Sequence, residues 1–272
     1  MHSEFHLFGL NLPGYGLMIS TGILVVWLIG ANLGNRFRIG PDMSTSVLTA
    51  ALLGGFLGGK ALAVLTEWDY YGKDLSRIIS ASQGGVAYGA IIGGLIAVAI
   101  YGRAKRFLIL DVLDVGAFLI CTGQIFGRLG CFMAGCCYGR PAEWGVHFPK
   151  PSIAYKTLRH TTIPGIDTRL TEGGQTVALI PTQLIESGAM VLLATLLFVL
   201  LLKKTRRGLA LFTYLGVYAA FRFTIEFWRM DPERGFLFDG LLSTSQFIAC
   251  IMAIISIIGL LVIFLRPPKT PT

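Results

Sequence analysis

The sequence predicts an all-α membrane protein, a bundle of seven transmembrane helices with its N-terminus outside and its C-terminus in the cytoplasm. Two observations on composition and one on patterning predict this class. Hydrophobic residues make up 54% of the 272 residues and charged residues 14%, with a mean hydropathy of +0.68. Soluble domains carry roughly twice that share of charge, and water could not cover so much exposed apolar surface. Apolar stretches near the ~20 residues that a helix needs to cross hydrocarbon recur along the chain.

Each apolar stretch is interpreted as one helix. The second stretch is interrupted by four glycines, and glycine, with 34 residues in all, is typical of helices that pack closely in membranes. We predict one integral membrane domain, residues 1–272, with a long extracytoplasmic loop at about 138–178 between the fourth and fifth spans. The seven predicted spans cover residues 14–33, 45–66, 83–101, 108–137, 179–202, 209–228 and 241–265.

The distribution of basic residues predicts the orientation. Cytoplasmic loops are enriched in Lys and Arg, and eleven of the 23 basic residues follow spans one, three, five and seven in tight clusters. No basic segment precedes the first span, so we expect a retained helix rather than a cleaved signal peptide. The net charge of +8 therefore indicates membrane orientation and not a nucleic-acid partner. The clustered residues are Arg36, Arg38, Arg103, Lys105, Arg106, Lys203, Lys204, Arg206, Arg207, Arg266 and Lys269.

Two arginines inside predicted spans are the first candidates for function. A charge in hydrocarbon costs about 2.5–3.5 kcal/mol, so Arg128 and Arg222 should face the bundle interior or a water-filled cavity. Tyr218, Arg222 and Glu226 are spaced four residues apart and share one face of the sixth span. A guanidinium held between a phenol and a carboxylate can bind a phosphate. The alternative is a structural ion pair, in which Glu226 only neutralises Arg222.

Small residues line one edge of the fourth span beside Arg128. Gly or Cys recurs at every fourth position from 123 to 139. Such an edge favours the close approach of another backbone and leaves room for a bulky ligand. We expect this helix to end near Gly139, because Pro141 cannot continue it.

Other polar residues near the helix ends have simpler interpretations. Gln183 and Glu186 share one face of the fifth span, where the helix dipole alone favours a carboxylate at the position of Glu186. Asp111 and Asp114 begin the fourth span, where we interpret them as caps. Lys60 closes a Gly-x4-Gly-Lys sequence, but the next residue cannot ligate magnesium and the sequence lies within a span, so we reject a phosphate-binding loop.

Three cysteines lie close together near the outer end of the fourth span. Cys131, Cys136 and Cys137 could form a disulfide, could bind a metal with His147 as a fourth ligand, or could provide a nucleophile activated by Arg128. We favour a simpler interpretation, in which small polarizable residues fill a tight helix interface. The sequence therefore predicts no metal and no cofactor.

Four motifs occur in order along the chain. They are Tyr15-Gly16-Leu17-Met18, then Gly127-Arg128-Leu129-Gly130-Cys131-Phe132 with Tyr138-Gly139, then Pro181 through Glu186, and finally Tyr218, Arg222, Glu226 and Phe227. In these motifs the chain resembles the bacterial prolipoprotein diacylglyceryl transferase family over nearly its whole length, as a Cys-rich variant subgroup. The signature Asn and Glu of that family correspond to Cys131 and Cys136 here, and a family His corresponds to Tyr88.

The resemblance implies a reaction and a place for it. A diacylglyceryl group would move from phosphatidylglycerol to the lipobox cysteine thiol in the signal peptide of a prolipoprotein, and glycerol-1-phosphate would leave. The enzyme would lie in the bacterial cytoplasmic (inner) membrane, cross the bilayer several times, and open its active site towards the outer leaflet.

The resemblance also implies roles for individual residues. Arg128 and Arg222 would hold the phosphate, and Tyr218 and Glu226 would orient Arg222. Tyr15 and Tyr88 would line the polar end of the lipid site. The proton acceptor stays open between Glu226 and Glu186, because the phenol of Tyr88, also a catalytic candidate, has an ordinary pKa near 10. Predicted substrate-binding residues are Tyr15, Tyr218, Cys131, Cys136, Gly139, Gln183, Glu186 and Arg229.

Two other functions stay open at this stage. One is a related membrane transferase with a different acceptor, such as a small thiol. The other is a transporter, although the sequence has no inverted repeat of broken helices and no carboxylate relay through the membrane depth.

Overall fold

The computed structural model describes residues 4–7, 10–33, 39, 41–72, 74, 87–106, 108–160, 173–230, 235–238 and 240–265. Helices dominate these residues. In chain order the elements are β1 (Glu4–Leu7), β2 (Leu10–Pro13), α1 (Gly14–Leu33), α2 (Pro41–Thr66), α3 (Trp68–Tyr71), α4 (Ala87–Ala104), α5 (Ile109–Ala134), β3 (Pro141–Val146), α6 (Ile153–His160), α7 (Thr182–Leu202), α8 (Leu209–Ile225), β4 (Phe236–Leu237), β5 (Leu242–Ser243) and α9 (Thr244–Leu265).

Five of the described helices are long and apolar enough to cross a membrane, namely α1, α2, α5, α7 and α9. Two shorter apolar helices, α4 and α8, coincide with the other two predicted spans. Large apolar side chains on these helices are exposed, as at Leu192 and Leu265, where 75% and 80% of the residue surface is accessible. Lipid is the solvent that such a surface requires. The chain is therefore a mostly helical membrane protein, as the sequence predicts.

The helix ends differ from the predicted ones by a few residues. Helix α5 ends at Ala134 rather than near Gly139, because Gly135 adopts a left-handed conformation with φ of +72° and reverses the chain. Helix α7 begins at Thr182, three residues later than the predicted span, after Pro181. Helix α8 ends at Ile225, so Glu226 is its C-terminal cap.

The chain divides into two compact units. The first unit comprises residues 1–26 and 114–272, and the second unit comprises residues 27–113. In the first unit, β1 and β2 form an antiparallel hairpin that leads into α1. A second short hairpin, β4 with β5, leads into α9.

In the second unit, α2 and α4 touch through their backbones at four glycines. A Cβ atom on Gly58 would lie 2.7 Å from the Cα of Gly93, and a Cβ on Gly93 would lie 2.7 Å from the Cα of Gly58. Gly54 and Gly89 face the partner helix in the same way, one turn to either side. Without side chains at these positions the helices approach until their backbones are in van der Waals contact, which is the main attraction available between helices in lipid.

Lys60 also lies in this unit. Its Nζ atom lies 5.2 Å from the centre of the Tyr71 ring, the distance of a cation–π contact. Helix α2 runs unbroken through the Gly-x4-Gly-Lys sequence. The rejection of a phosphate-binding loop is thus confirmed.

In the first unit, residues 135–160 and 173–181 between α5 and α7 form a small cap around a hydrophobic core. Phe148 and Leu179 are fully buried at its centre. The backbone N–H of Phe148 donates to the hydroxyl of Thr176, and the backbone N–H of Thr176 donates to the Phe148 carbonyl. Strand β3 runs beside Leu179, at a distance that leaves no room for a side chain at Gly145. The buried core consists of Tyr138, Phe148, Ala154, Leu158, Leu179 and Met230.

Asp114 caps a helix, but not the helix that contains it. Its two carboxylate oxygens accept hydrogen bonds from the backbone N–H groups of Gly208 (2.7 Å) and Leu211 (2.8 Å), which open α8. A carboxylate at this end stabilises the helix dipole and satisfies two free donors. The predicted capping of the fourth span is therefore wrong for Asp114, whose charge fixes the start of the sixth span instead.

The predicted small-residue edge on α5 does not work as a single backbone contact. A Cβ on Gly127 would have no described atom within 4 Å, and a Cβ on Gly123 would meet only the side chain of Val26, at 3.7 Å. A closer approach occurs at Gly130, which lies next to the predicted edge and where a Cβ would lie 3.2 Å from the ring of Tyr15. At the far end of the edge the predicted close approach does occur, because a Cβ on Gly135 would lie 2.7 Å from Ser152 and a Cβ on Gly139 would lie 2.8 Å from the Trp228 carbonyl.

Candidate active site

Arg128 of α5 is held from one side by a carboxylate of α7. Its Nη2 atom lies 2.9 Å from Oε2 of Glu186. The other guanidinium nitrogens of Arg128 have no partner among the described residues, and 20% of its side-chain surface is exposed. Gly127, the preceding residue in the sequence, borders open space, because a Cβ there would meet no described atom within 4 Å. Arg128 is therefore paired and oriented, with donors left for another ligand.

Glu186 is the buried centre of the charges in this region. Only 2% of its surface is exposed, and its second carboxylate oxygen, Oε1, has no hydrogen-bond partner among the described residues. Three arginines lie within electrostatic range of the carboxylate, namely Arg128, Arg222 and Arg229. The structure thus brings together charged groups from α5, from α7 and from α8 with the turn that follows it.

Arg222 of α8 is held more completely than Arg128. Its Nη1 atom donates to Oε2 of Glu226 at 2.6 Å, and its Nη2 donates to the hydroxyl of Ser245 at 2.7 Å. Both Arg222 and Glu226 are buried. The predicted pairing of Arg222 with Glu226 on one helix face is present, and Ser245 engages the other terminal nitrogen of the guanidinium.

Ser245 is a site residue that the sequence analysis missed. It lies in the first turn of α9, whose start is fixed by a capping box: the Ser243 hydroxyl accepts from the backbone N–H of Gln246, and the Gln246 side chain accepts from the backbone N–H of Ser243. The Ser-x-x-Gln spacing was the available signal. The pairing with Arg222 is not visible in the sequence, because 23 residues separate the partners.

Arg229 and Gly139 meet where the turn after α8 crosses the start of the cap. They form an antiparallel bridge, flanked by hydrogen bonds from Arg140 N to Trp228 O (2.9 Å) and from Met230 N to Tyr138 O (3.2 Å). A Cβ on Gly139 would lie 2.8 Å from both Ile180 and the Trp228 carbonyl. Gly139 thus permits the backbone contact that positions Arg229, which is itself buried.

Two of the three candidate tyrosines lie in the first unit, near Arg128. Tyr15 is half-exposed and lies within electrostatic range of Arg128 and the three clustered cysteines. Tyr218 stacks on Tyr214 with ring centres 5.6 Å apart, and its hydroxyl interacts electrostatically with Arg128. Tyr88 lies in the first turn of α4, in the second unit, and its side chain falls outside the described residues.

The three cysteines converge because the helix ends between them. Hydrogen bonds run from Cys136 N to Cys131 O (3.1 Å) and from Gly135 N to Phe132 O (3.2 Å), the two bonds of a Schellman motif. This turn folds Cys136 back over Cys131, and a second left-handed residue, Cys137 with φ of +59°, brings its side chain to the same place. The three Sγ atoms lie within 4.8 Å of one another.

The thiols therefore lie beside one another, and the packing of Cys131, Cys136 and Cys137 into a helix interface stays a prediction. The backbone of this turn is fastened from α7, where Gln183 Nε2 donates to the Cys136 carbonyl at 2.5 Å and Thr182 Oγ1 donates to the Cys137 carbonyl at 2.5 Å. Hydrogen bonds from Cys131 and Cys136, together with the charges of Arg229 and Arg128, lower the pKa of the Cys137 thiol. The bond to Cys131 raises the pKa of Cys136.

The arrangement suits an anionic ligand that arrives from lipid. Buried guanidinium groups in a low-dielectric site interact strongly with phosphate oxygens. Arg128 has one guanidinium nitrogen engaged by Glu186, whereas both terminal nitrogens of Arg222 are engaged, by Glu226 and Ser245, so Arg128 keeps more donors for such a ligand. The unpartnered oxygen of Glu186 provides a proton acceptor close to the same cations.

Comparisons with known proteins give a consistent result. A family model described as prolipoprotein diacylglyceryl transferase matches residues 3–262. Relatives from Clostridium tetani and Clostridium perfringens, named phosphatidylglycerol–prolipoprotein diacylglyceryl transferase, are each 34% identical to this chain; the alignments cover 93% of the chain and 94% of the first protein, and 91% and 90% for the second. A relative of the same name from Finegoldia magna is 29% identical over 258 residues, which is 93% of this chain and 92% of that protein.

Proposed function

Because the chain belongs to the prolipoprotein diacylglyceryl transferase family, we propose that it transfers the sn-1,2-diacylglyceryl group of phosphatidylglycerol to the lipobox cysteine thiol of a prolipoprotein. The chain is a transferase that forms a thioether. The observation that carries the assignment of its site is the ion pair of Arg128 with the buried carboxylate of Glu186 at 2.9 Å, with Arg222 and Arg229 within electrostatic range of the same carboxylate. This cluster combines cations for a phosphate with an acceptor for a proton.

The reaction exchanges one bond for another at a single carbon. The cysteine sulfur of the acceptor attacks the glyceryl carbon that carries the phosphate, and a C–S bond forms. The C–O bond to the phosphate breaks, and its electron pair leaves with glycerol-1-phosphate. The thiol proton must be removed, because a thiolate is the effective nucleophile.

The arginines stabilise the charge that develops on the departing phosphate. Arg128 binds the phosphate oxygens directly, through the donors that Glu186 leaves free. Arg222 and Arg229 add positive charge from α8 and the turn after it. Removal of one such interaction typically costs about 2.7–4 kcal/mol of transition-state stabilisation. Glu226 and Ser245 keep the Arg222 guanidinium in place.

Glu186 is the proton acceptor that the geometry supports best. Its Oε1 atom is buried without a hydrogen-bond partner among the described residues, whereas Oε2 is held by Arg128. A carboxylate with one oxygen fixed and one free can accept a proton without losing its position. We favour Glu186 over the alternative Glu226, because Glu186 lies within electrostatic range of Arg128, Arg222 and Arg229 and is paired with the arginine that keeps donors for the phosphate.

The lipid substrate and the distribution of charge together suggest how the protein lies in the membrane. The two shorter helices α4 and α8 complete seven crossings, with the N-terminus outside, the C-terminus in the cytoplasm, and the cap outside. The donor lipid enters laterally from the outer leaflet of the cytoplasmic (inner) membrane. The signal peptide of the prolipoprotein lies in the same bilayer and presents its lipobox cysteine to the cluster.

The experiment measures transfer in vesicles of phosphatidylglycerol that contain the purified protein. A synthetic lipobox peptide should gain the mass of one diacylglyceryl group, and glycerol phosphate should appear in equal amount. Arg128→Ala should slow the transfer about 10²–10³-fold. Arg140→Ala is the matched control, because Arg140 is an exposed arginine on the same segment and should keep the wild-type rate.

Two results would overturn the proposal. One is a wild-type rate in the Arg128→Ala variant, provided that both variants remain folded in detergent. The other is absence of peptide modification together with modification of a small thiol, such as glutathione, by the same vesicles. The second result would assign the chain to a transferase with a different acceptor.

A further inference from the structure

The proposed reaction gives no chemical step to one cluster of nucleophilic side chains, two of which are predicted substrate-binding residues. Cys131 lies in the last turn of α5, and Cys136 and Cys137 follow the Schellman turn that ends this helix. All three are free and partly buried. The Cys136 thiol donates to the Cys131 carbonyl at 3.7 Å, and the three Sγ atoms form a triangle in which no pair is more than 4.8 Å apart.

We infer that Cys131, Cys136 and Cys137 bind one thiophilic metal ion, Zn²⁺ or Cu⁺, through their three sulfur atoms. Both ions are soft enough to prefer thiolate ligands over the oxygen ligands around them. A Zn–S bond is about 2.3 Å long, so two sulfur ligands of a tetrahedral ion lie about 3.8 Å apart. Small rotations about the Cα–Cβ bonds would bring sulfur atoms that now lie within 4.8 Å to this separation.

The backbone that carries the thiols is already fixed. The Schellman hydrogen bonds hold Cys136 over Cys131, and Gln183 and Thr182 of α7 hold the carbonyl groups of Cys136 and Cys137. A preorganised site loses little conformational entropy when a ligand binds. A chance meeting of three cysteines in a packed interface would not need these side-chain clamps from another helix.

The surrounding charges fit an anionic metal–thiolate centre. Three thiolates with Zn²⁺ or Cu⁺ leave a net negative charge, and the charges of Arg229 and Arg128 act on the cluster. Binding proceeds by exchange of protons for the ion: each of the three thiols releases its proton to solvent, and no oxidation takes place.

A disulfide explains the cluster less well. It would join only two of the three sulfur atoms, and the third thiol would be left beside it. A metal ion uses all three at once. The bound ion would also tie the end of α5, and with it the Arg128 region, to the start of the cap.

The test is direct metal binding by the purified full-length protein in detergent, after reduction of all thiols. Zn²⁺ is titrated alone, and Cu⁺ is titrated in a separate arm with a chromogenic Cu⁺ chelator as competitor; bound metal is measured by mass spectrometry. We expect one ion per chain. Cys131→Ser, Cys136→Ser and Cys137→Ser should each bind at least about 100-fold more weakly. Cys250→Ser is the control, because Cys250 lies in α9 outside the cluster and its loss should change nothing.

Thermal unfolding without metal shows whether each variant is folded, and the stoichiometry of the wild-type protein does not depend on any variant. The inference is overturned if the reduced wild-type protein binds neither ion, or if Cys136→Ser binds as tightly as Cys250→Ser. A disulfide in the purified protein followed by no binding after its reduction overturns it too. These measurements do not involve lipid transfer, so they stand apart from the outcome of the transferase assay.

Discussion

Helices α2 and α4 meet through four glycines, whereas α5, α7 and α8 bring three arginines and two glutamates to one region of the first unit. The first contact has no side chain at its four glycine positions and gains van der Waals contact between backbones. The second keeps charged side chains in an apolar surrounding and satisfies most of them with one another. The glycine contact has no group left over for chemistry, whereas the charged cluster retains donors on Arg128 and an acceptor on Glu186.

The sharpest test of this contrast is Glu186→Gln. The substitution keeps the shape of the side chain and removes its ability to accept a proton, so we expect a transfer rate about 10²–10⁴-fold lower, the usual range for loss of a general base. Glu143→Gln is the control, because Glu143 is exposed in β3. The vesicle assay gives both rates. Equal rates for the two variants would leave Glu186 as a structural partner of Arg128 only.

Arg222→Ala tests whether the buried charges hold the fold as well as the substrate. It leaves Glu226 buried without its guanidinium, which typically costs about 3–5 kcal/mol of stability. The double variant Arg222→Met with Glu226→Gln removes both charges and should recover most of that loss without recovering transfer. Denaturant unfolding in mixed micelles measures the first effect, and the vesicle assay the second. A single variant as stable as wild type would show that the pair is not mutually dependent.

Gly93→Ala tests the other side of the comparison. The added methyl group would lie 2.7 Å from the Cα of Gly58, so the helices must separate, and we expect a loss of about 1–3 kcal/mol. Gly102→Ala, on the same helix, would place its methyl group 3.8 Å from Ile109 and should be tolerated. Thermal unfolding of both variants in detergent measures the difference. Similar midpoints would mean that α2 and α4 are not held by backbone contact.

Asp114→Ala removes a charged helix cap that takes no part in the proposed reaction. Two backbone donors at the start of α8 would lose their acceptor, which we expect to cost about 1–2 kcal/mol. Asp114→Asn should retain part of this stability, because an amide oxygen still accepts a hydrogen bond. Unfolding midpoints rank the three proteins, and an order other than wild type, Asn, Ala contradicts the cap.

The smallest effect is expected for Gly127→Ala. A methyl group there meets no described atom within 4 Å, so stability should stay within about 0.5 kcal/mol of wild type. The comparison with Gly93→Ala separates a glycine that makes a helix contact from one that borders open space next to Arg128. A loss as large as that of Gly93→Ala would mean that Gly127 packs against a neighbour.

Much of the candidate site follows from a few residues in the sequence. Arg128 and Arg222 are conspicuous because charges are costly inside apolar stretches, and the spacing from Arg222 to Glu226 places both on one helix face. Gln183 and Glu186 share a face by the same rule. These inferences need only the helical repeat and the cost of burying charge.

The sequence does not reveal which partners lie across the fold. Arg128 and Glu186 are 58 positions apart, and Arg222 and Ser245 are 23 apart, so no local repeat links them. Asp114 was assigned to its own helix, since a capping rule sees only neighbours along the chain, whereas the carboxylate reaches α8. The three thiols were assigned to packing, because their convergence depends on where the helix ends.

The sequence by itself determined that this chain is a membrane protein, that its helices are apolar, and that a family-specific set of polar residues lies on them. Each of these conclusions rests on composition, spacing or local order. Only the tertiary structure decided that Glu186 engages a single nitrogen of the Arg128 guanidinium, and that a reversal at Gly135 gathers Cys131, Cys136 and Cys137. The physical reason is that hydrogen bonds and ion pairs act over a few ångströms in space, and the packing of helices sets those distances.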